Sequence, residues 1–194
     1  MSEFEEWVKL EELIRKCARC ELYKSRTNVV VGGGNRKAKI ILIGEAPGYF
    51  EDIKGEPFVG KAGMFLNECL RCAGLSRNDV YITNVVKCRP PNNRTPKPEE
   101  IKACSIYLEK QLELIKPKVI ICLGNVAIKY IFRKYGLKIE PISKIHGRVY
   151  EVFGTYIIPM FHPAAALYNA NFKQVILEDW KKLRNFLKKY KNGS

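Results

Sequence analysis

Short apolar segments that alternate with segments of helical periodicity restrict this chain to an α/β fold. Four segments have the length and β-branched composition of buried strands: residues 39–44, 80–86, 118–123 and 156–161. Helical spacing of apolar residues occurs in five others: residues 4–17, 62–75, 99–115, 125–135 and 172–190. Strands that alternate with helices form a parallel sheet covered on both faces. The sequence therefore predicts a three-layer α/β/α sandwich with a central, mainly parallel four-stranded sheet.

The length and composition of the chain fit one domain. Its 194 residues, 46% of them hydrophobic, can bury a full core. No internal repeat or low-complexity linker interrupts the sequence, so we expect one domain over residues 1–194. No apolar run approaches the roughly 20 residues that cross a bilayer, and the N-terminus is acidic where a signal peptide is basic. We therefore expect a soluble, monomeric, intracellular protein of the cytoplasm or nucleoid, without contact to membranes.

The strong positive charge of the chain indicates a polyanionic partner. Lysine and arginine total 34 against 20 aspartates and glutamates, which gives a formal net charge of +14. A globular protein this basic usually meets nucleic acid. A lysine-rich surface of the kind found in thermophilic proteins is the alternative.

Polar residues stand where three of the predicted strands end. Glu45 follows the first strand, Asn84 lies near the end of the second, and His162 follows the fourth. Ligands of open α/β sheets bind beyond the carboxyl ends of the strands. The three side chains can surround one small polar ligand with an acceptor, an amide and an imidazole. Alternatively, each of them caps a helix or satisfies a loop.

Seven cysteines are too many for chance and odd in number. In an intracellular chain they favour metal ligation or buried thiols over disulfides. Two pairs have C-x-x-C spacing, Cys17 with Cys20 and Cys69 with Cys72. Cys69 shares the apolar stripe of a predicted helix and Cys122 lies within a predicted strand, so both are expected to be buried thiols. Spacing alone does not choose among the possible sets of four ligands.

Three motif blocks lie within residues 17 to about 169, a region that makes up most of the chain. The first comprises residues 44–48, 51–52 and 57–63, the second residues 84–91, 93–94 and 96, and the third residues 162–165. In their order and spacing they resemble the family 4 (thermostable, iron–sulfur) uracil-DNA glycosylases. The resemblance implies an enzyme that flips uracil out of DNA and hydrolyses its N-glycosidic bond. The abasic site that remains initiates base excision repair.

The resemblance also implies roles for five residues around the uracil. His162 donates a hydrogen bond to the uracil oxygen as the base leaves as an anion. Asn84 reads the edge of the base, and Phe58 stacks on its face. Glu45 activates or positions the attacking water. Glu51 helps to exclude the methyl group of thymine or to order water, and a solvated loop carboxylate is the alternative.

Uracil-containing DNA, single- or double-stranded, is the implied partner. The residues expected to meet its phosphates are Lys61, Arg89, Arg94, Lys97 and the basic last helix; that helix can instead be a solvated face. The segment after His162 resembles the one that fills the gap left by a flipped base. Leu167 is the candidate wedge, with Tyr168 next, and a buried loop leucine is the alternative.

Four of the cysteines match the cluster ligands of the family: Cys17, Cys20, Cys88 and Cys104. The resemblance thus implies a [4Fe–4S] cluster held by four thiolates. We expect its role to be structural, since glycosidic cleavage transfers no electrons. Zinc in the same four-cysteine set is the alternative.

Other interpretations of the sequence are weaker. Residues 55–62 fit most of a phosphate-binding P-loop, but Ala62 stands where a serine or threonine would ligate Mg²⁺, and no apolar strand leads into the segment. Residues 32–34 are three glycines, which we interpret as a flexible turn because no helix follows directly. A protein that binds uracil-DNA without turnover and a small iron–sulfur electron carrier remain as rival functions.

Overall fold

The protein is described by a computed structural model over residues 2–191, and its framework is one mixed sheet. The strands in chain order are β1 (Gly33–Gly34), β2 (Ile40–Gly44), β3 (Val80–Asn84), β4 (Val119–Leu123), β5 (Tyr150–Val152) and β6 (Thr155–Met160). Their order across the sheet is β1-β3-β2-β4-β6-β5. Four strands, β3, β2, β4 and β6, run parallel, and β1 and β5 pair antiparallel at the two edges. The predicted parallel centre is confirmed, and two edge strands extend it. Residue 1 and residues 192–194 of the predicted domain lie outside the described residues.

Helices connect and cover the strands. They are α1 (Glu3–Arg15), α2 (Tyr49–Lys54), α3 (Lys61–Cys72), α4 (Pro98–Ile115), α5 (Asn125–Lys134), α6 (Ile142–Ile145), α7 (Ala170–Lys182) and α8 (Arg184–Lys188). Short 3₁₀ turns lie at Glu21–Lys24, Arg77–Asp79, Pro91–Asn93 and Pro163–Leu167. The predicted last helix is divided into α7 and α8 at Leu183. Leu183 and Leu187 both stay buried in the same core, so the division keeps an apolar face toward the sheet.

Every residue of β2, β3 and β4 is buried, because helices cover both faces of the sheet. Alternate residues of one strand belong to different cores. Ile41 packs in a cluster with residues of α1, α4 and α5, whereas Leu42 packs in a second cluster with residues of α3 and α7. Successive side chains of a strand point to opposite faces of the sheet, so one strand packs against helices on both sides. The three-layer α/β/α architecture expected from the sequence is confirmed.

The glycines at residues 32–34 do not form the flexible turn that we predicted from the sequence. Gly33 and Gly34 pair with Ile82 and Tyr81 of β3 as an antiparallel edge strand. A Cβ on Gly34, whose φ is +104°, would lie 2.3 Å from the carbonyl oxygen of Val80. Only glycine permits this close approach of two backbones.

The parallel strands bring their carboxyl ends to one edge of the sheet. Gly44 lies opposite Asn84 in the register of β2 and β3. Gly124 follows β4, and His162 lies two residues beyond the end of β6. This edge is therefore where side chains from distant parts of the sequence meet. None of the helices within residues 2–191 is long and apolar enough to cross a bilayer.

Truncation of Leu66 tests the packing of α3 on the sheet. Leu66 is completely buried in α3, and Leu66→Ala leaves a cavity that should lower the free energy of unfolding by about 2–5 kcal/mol. Met64 on the same helix is 70% exposed, so Met64→Ala should change that free energy by less than about 0.5 kcal/mol. Urea denaturation measures both. Equal losses in the two variants would contradict this packing.

Candidate active site

A cleft opens at the carboxyl edge of the parallel strands, with about 1230 Å³ of free space including the part open to solvent. The five residues predicted to surround a base all line it: Glu45, Glu51, Phe58, Asn84 and His162. Three of the five residues predicted to contact DNA also line it, namely Lys61, Arg94 and Leu167. The sheet edge thus brings together side chains that lie up to 122 residues apart in the sequence, from Glu45 to Leu167.

The amide of Asn84 lies at the floor of this cleft. The residue is 2% exposed, and its Oδ1 is buried without a hydrogen-bond partner within the described residues. Gly44 makes room for the amide, because a Cβ at that position would lie 2.4 Å from Asn84 Oδ1. A buried amide oxygen without a partner is costly. A ligand that offers an N–H group to this atom would remove that cost.

The tautomer of His162 is set by its neighbour. The backbone N–H of Ala164 donates to Nδ1 of His162 at 3.1 Å, so the ring proton of the neutral imidazole lies on Nε2. Burial lowers the pKa of His162 to about 4, and the nearby Glu51 carboxylate opposes this shift only in part. The imidazole is therefore neutral near pH 7 and has one N–H to donate. Its ring stacks near that of Phe58, with 5.5 Å between the centroids.

Phe58 adopts a left-handed backbone conformation, with φ of +51°. The Arg77 guanidinium supports it by donating to the carbonyl oxygens of Pro57, at 3.1 Å, and of Phe58. Arg77 Nε also donates to Asn67 Oδ1 at 2.7 Å. Gly63 allows the turn, since a Cβ there would lie 1.8 Å from the Phe58 carbonyl oxygen. An unfavourable backbone conformation persists only where the surroundings hold it in this way.

Glu51 fastens the same loop from the other side. Its Oε1 accepts hydrogen bonds from the backbone N–H groups of Val59 and Gly60, each at 3.0 Å. The sequence predicted a carboxylate near the base but no contact with this loop. Glu51 therefore holds the segment that carries Phe58, in addition to lining the cleft.

Glu45 follows β2 directly and is half-buried in the cleft wall. Burial raises the pKa of its carboxyl group above the ordinary value. A carboxylate with a raised pKa is a better proton acceptor than a solvated one.

The predicted DNA-contacting residues have different surroundings. Lys61 is exposed at the first turn of α3 and lines the cleft. Arg94 donates twice to the buried Glu100 carboxylate, at 2.9 and 2.7 Å, and so anchors its loop. Arg89 donates to Asn93 Oδ1 at 2.7 Å and lies over the ring of a cleft residue, Tyr49. Lys97 is exposed just before α4 and does not line the cleft.

The segment after His162 presents apolar side chains outward. Leu167 is 40% exposed and Tyr168 is 90% exposed, and both line the cleft. The alternative of a buried loop leucine at position 167 is therefore wrong.

Lys87 is a buried lysine that the sequence analysis did not single out. It is 1% exposed, and its Nζ donates to Thr83 Oγ1, the Asn84 carbonyl oxygen and Gln111 Oε1 at 2.6–2.7 Å. Burial lowers the pKa of Lys87 to about 7. Its only signal in the sequence was a lysine directly after a β-branched run, which is also typical of an exposed strand end.

The four cysteines predicted as cluster ligands line one pocket: Cys17, Cys20, Cys88 and Cys104. Nitrogen donors face two of the sulfurs. Arg26 Nη1 lies 3.2 Å from Cys88 Sγ, and the backbone N–H of Lys87 donates to Cys104 Sγ at 3.2 Å. Burial raises the pKa of the Cys20, Cys88 and Cys104 thiols, to about 12 for Cys104. Thiolates in so dry a cavity need a positive charge among them.

Within residues 2–191, no group of three or more His, Cys, Asp or Glu side chains is arranged to hold one metal ion. The other three cysteines lie elsewhere. Cys69 and Cys122 are fully buried in the two cores, as predicted, and Cys72 is half-buried. All seven cysteines are free.

Comparisons with known proteins identify relatives of this chain. The family model of the uracil DNA glycosylase superfamily matches residues 31–184. A type-4 uracil-DNA glycosylase of Archaeoglobus fulgidus is 50% identical over 181 residues, which cover 90% of this chain and 91% of the relative. Type-4 uracil-DNA glycosylases of Saccharolobus solfataricus and Thermotoga maritima are 51% and 48% identical, over 90% and 93% of this chain and 83% and 94% of the relatives.

The neutral state of His162 should make the folded protein sensitive to acid. Its pKa is about 4 in the folded chain, whereas an unfolded histidine titrates near about 6.5. Between these values the unfolded chain binds more protons, so the free energy of unfolding should fall as the pH falls from about 6.5 to about 4. Urea denaturation over this range measures the dependence. His162→Gln should remove part of it, and parallel profiles of wild type and variant would contradict this environment.

Proposed function

The chain belongs to the uracil-DNA glycosylase superfamily, and we propose from this that it is a uracil-DNA glycosylase. It takes uracil out of the DNA stack, hydrolyses the bond between the base and deoxyribose, and leaves an abasic site that initiates base excision repair. The observation that carries this function is the buried, unpartnered Oδ1 of Asn84 in the same cleft as the His162 imidazole and the Phe58 ring.

Uracil offers the groups that this cleft lacks. Its N3–H can donate to Asn84 Oδ1, and its O4 can accept from Asn84 Nδ2. With the amide in this orientation, cytosine would lose both hydrogen bonds, because it presents an unprotonated N3 and an amino group at the same edge. Phe58 supplies a face for the ring to stack on, a contact of about 1–3 kcal/mol per base.

The reaction breaks the bond between C1′ of the sugar and N1 of the base. Both electrons of that bond pass to uracil, which leaves as an anion, and positive charge builds on the sugar. In the proposed arrangement His162 donates its Nε2–H to the O2 oxygen of uracil, where the negative charge accumulates. A neutral donor already aligned in a dry cleft stabilises the developing anion without reorganisation.

Water completes the reaction at C1′. Glu45 is the proposed group that positions this water and accepts its proton, and the negative charge of its carboxylate favours the cationic sugar. The raised pKa of Glu45 suits this proton transfer. The proton of the water passes to Glu45 and then to solvent, the uracil anion takes up a proton at N1, and the products are uracil and a sugar with a hydroxyl group at C1′.

Further DNA contacts follow from charge and exposure. With a net charge of +14, the protein attracts the phosphate backbone. Lys61, Arg89 and Lys97 are the proposed phosphate contacts, while Arg94 orders the loop between them through Glu100. Leu167, exposed beside the cleft, is the proposed wedge into the gap left by uracil. The proposed form of the protein is a monomer, and its proposed location is the cytoplasm or nucleoid.

The proposed cofactor is a [4Fe–4S] cluster held by Cys17, Cys20, Cys88 and Cys104. A single zinc ion, whose sulfurs lie at about 2.3 Å from one point, is the alternative in the same four-cysteine set. Four thiols around one pocket, with N–H donors toward two sulfurs, suit a multi-atom cluster. When bound, the cluster would cross-link the segment after α1, the loop after β3 and α4.

Loss of either polar cleft residue should abolish most uracil release. His162→Ala removes the donor to the leaving anion, and Asn84→Ala removes both contacts to the base edge. Each should lower kcat by about 100-fold or more on a uracil-containing oligonucleotide, with abasic sites measured by alkaline cleavage. Asn125→Ala changes an exposed asparagine after β4 that does not line the cleft, and should leave kcat unchanged.

The same assay separates the rival functions. Several turnovers per enzyme exclude a protein that only binds uracil-DNA, and release under redox-inactive conditions excludes an electron carrier as the primary role. Near-normal rates in both cleft variants, with the fold intact, would refute the proposed site.

Iron analysis tests the cofactor. The purified wild type should be brown, absorb broadly near roughly 400 nm and contain four irons per chain. Cys88→Ser should lose iron and absorbance, whereas Cys69→Ala, a matched change at a cysteine outside the cavity, should retain both. Colourless wild-type protein with one zinc per chain would refute the cluster.

A further inference from the structure

The helix beside the cleft exposes an apolar face that the rest of the described chain leaves uncovered. Three of the six residues of α2 are large and apolar, and each is about half exposed: Tyr49 51%, Phe50 52% and Ile53 49%. Exposed apolar side chains that cluster in this way mark a contact surface. Tyr49 and Phe50 also line the cleft that contains Asn84. The surface is therefore continuous with the proposed uracil site.

The Tyr49 ring is held in place although it is exposed. The edge of Phe50 packs against it at 5.3 Å between centroids and an interplanar angle of 83°. The Arg89 guanidinium lies over the ring at 5.2 Å from its centroid, and Arg89 is itself fixed by Asn93. Phe50 rests against the backbone of Gly60, where a Cβ would lie 3.3 Å from its ring. The ring is thus oriented before any ligand arrives.

In this arrangement the Arg89 guanidinium lies over the Tyr49 ring, and about half of the residue is exposed to solvent. An ordered aromatic ring beside a positive charge is the element that binds unpaired bases, because each base has a π-face and a neighbouring phosphate. The charges around it fit the same ligand, since Lys61, Arg89 and Arg94 lie at the cleft or its rim.

We propose that Tyr49 stacks on the base next to the uracil when that base is unpaired, and that the enzyme therefore acts preferentially on uracil in single-stranded DNA. The proposal rests on the function proposed above and adds the class of DNA. In a duplex, a neighbouring base is paired and stacked within the helix, so its face is not available to Tyr49. In a single strand the base can leave its stack and lie on the ring.

The test is a double-mutant cycle that combines a substitution of Tyr49 with removal of the base next to the uracil. The substrates are a single-stranded oligonucleotide with one uracil, the same strand with a tetrahydrofuran abasic analogue on the 5′ or the 3′ side of the uracil, and the duplex. Tyr49→Ala should lower kcat/KM about tenfold on the intact single strand and less than about twofold on the duplex. One of the two abasic substrates should lower kcat/KM of the wild type by the same factor, and on that substrate Tyr49→Ala should cause no further loss.

Two control variants isolate stacking from other effects. Tyr49→Phe retains the ring and should behave as the wild type. Phe153→Ala removes a 97% exposed aromatic side chain at the β5–β6 turn, away from the cleft lining, and should leave every rate unchanged. Because Tyr49 is exposed, thermal unfolding of the variants should match that of the wild type.

The outcomes are distinguishable. An equal effect of Tyr49→Ala on single strand and duplex, or an effect that persists on both abasic substrates, would overturn the stacking role. Wild-type protein that releases no uracil from any of these oligonucleotides would instead refute the proposed function. Normal release without coupling between Tyr49 and either neighbouring base leaves the function intact and refutes only this inference.

Discussion

The close approach of Gly44, Asn84 and Phe58 is the constraint on which the site depends. Parallel pairing of β2 and β3 sets Gly44 opposite Asn84, and any side chain at position 44 would collide with the Asn84 amide and the Phe58 ring. Glycine there lets an amide and an aromatic face meet at one point. The left-handed Phe58 backbone needs Glu51 and Arg77 to hold it. The floor of the cleft therefore depends on the backbone positions of Gly44 and Phe58 and on the side chains that hold them.

Burial away from water determines the protonation and hydrogen bonding of the polar groups in this cleft. It keeps His162 neutral and raises the pKa of Glu45. Asn84 Oδ1 is buried and has no hydrogen-bond partner among residues 2–191. Polar groups in such surroundings interact strongly with charge that develops beside them. Lys87 joins this cleft to the cysteine cavity, because its Nζ bonds the Asn84 carbonyl and its N–H bonds Cys104 Sγ. The rim differs from the interior: it is basic, aromatic and exposed, and suits the strand around the base.

Most of the framework could be predicted from the sequence, because it is encoded by local patterns. Strands β2, β3, β4 and β6 are β-branched runs, and the helices between them have apolar residues at helical spacing. Each pattern predicts its element without information about the rest of the fold. The two-residue β1 could not be predicted, because glycines have no side chain that reports pairing, and its existence depends on contact with Tyr81 and Ile82. The division between α7 and α8 was also missed, since no proline or glycine marks Leu183.

The sequence by itself determined which residue types could bind a base, since the motif blocks carry Glu45, Phe58, Asn84 and His162 in order. It also holds four cysteines that match the ligands of a cluster. The tertiary structure decided what holds them. Arg77 supports Phe58 across 19 residues of sequence, and Gln111 accepts from Lys87 across 24. No periodic pattern in the sequence predicts either contact, because each joins two elements that become neighbours only when the sheet and its helices are assembled. Burial, and with it the neutral state of His162, likewise exists only in the folded chain.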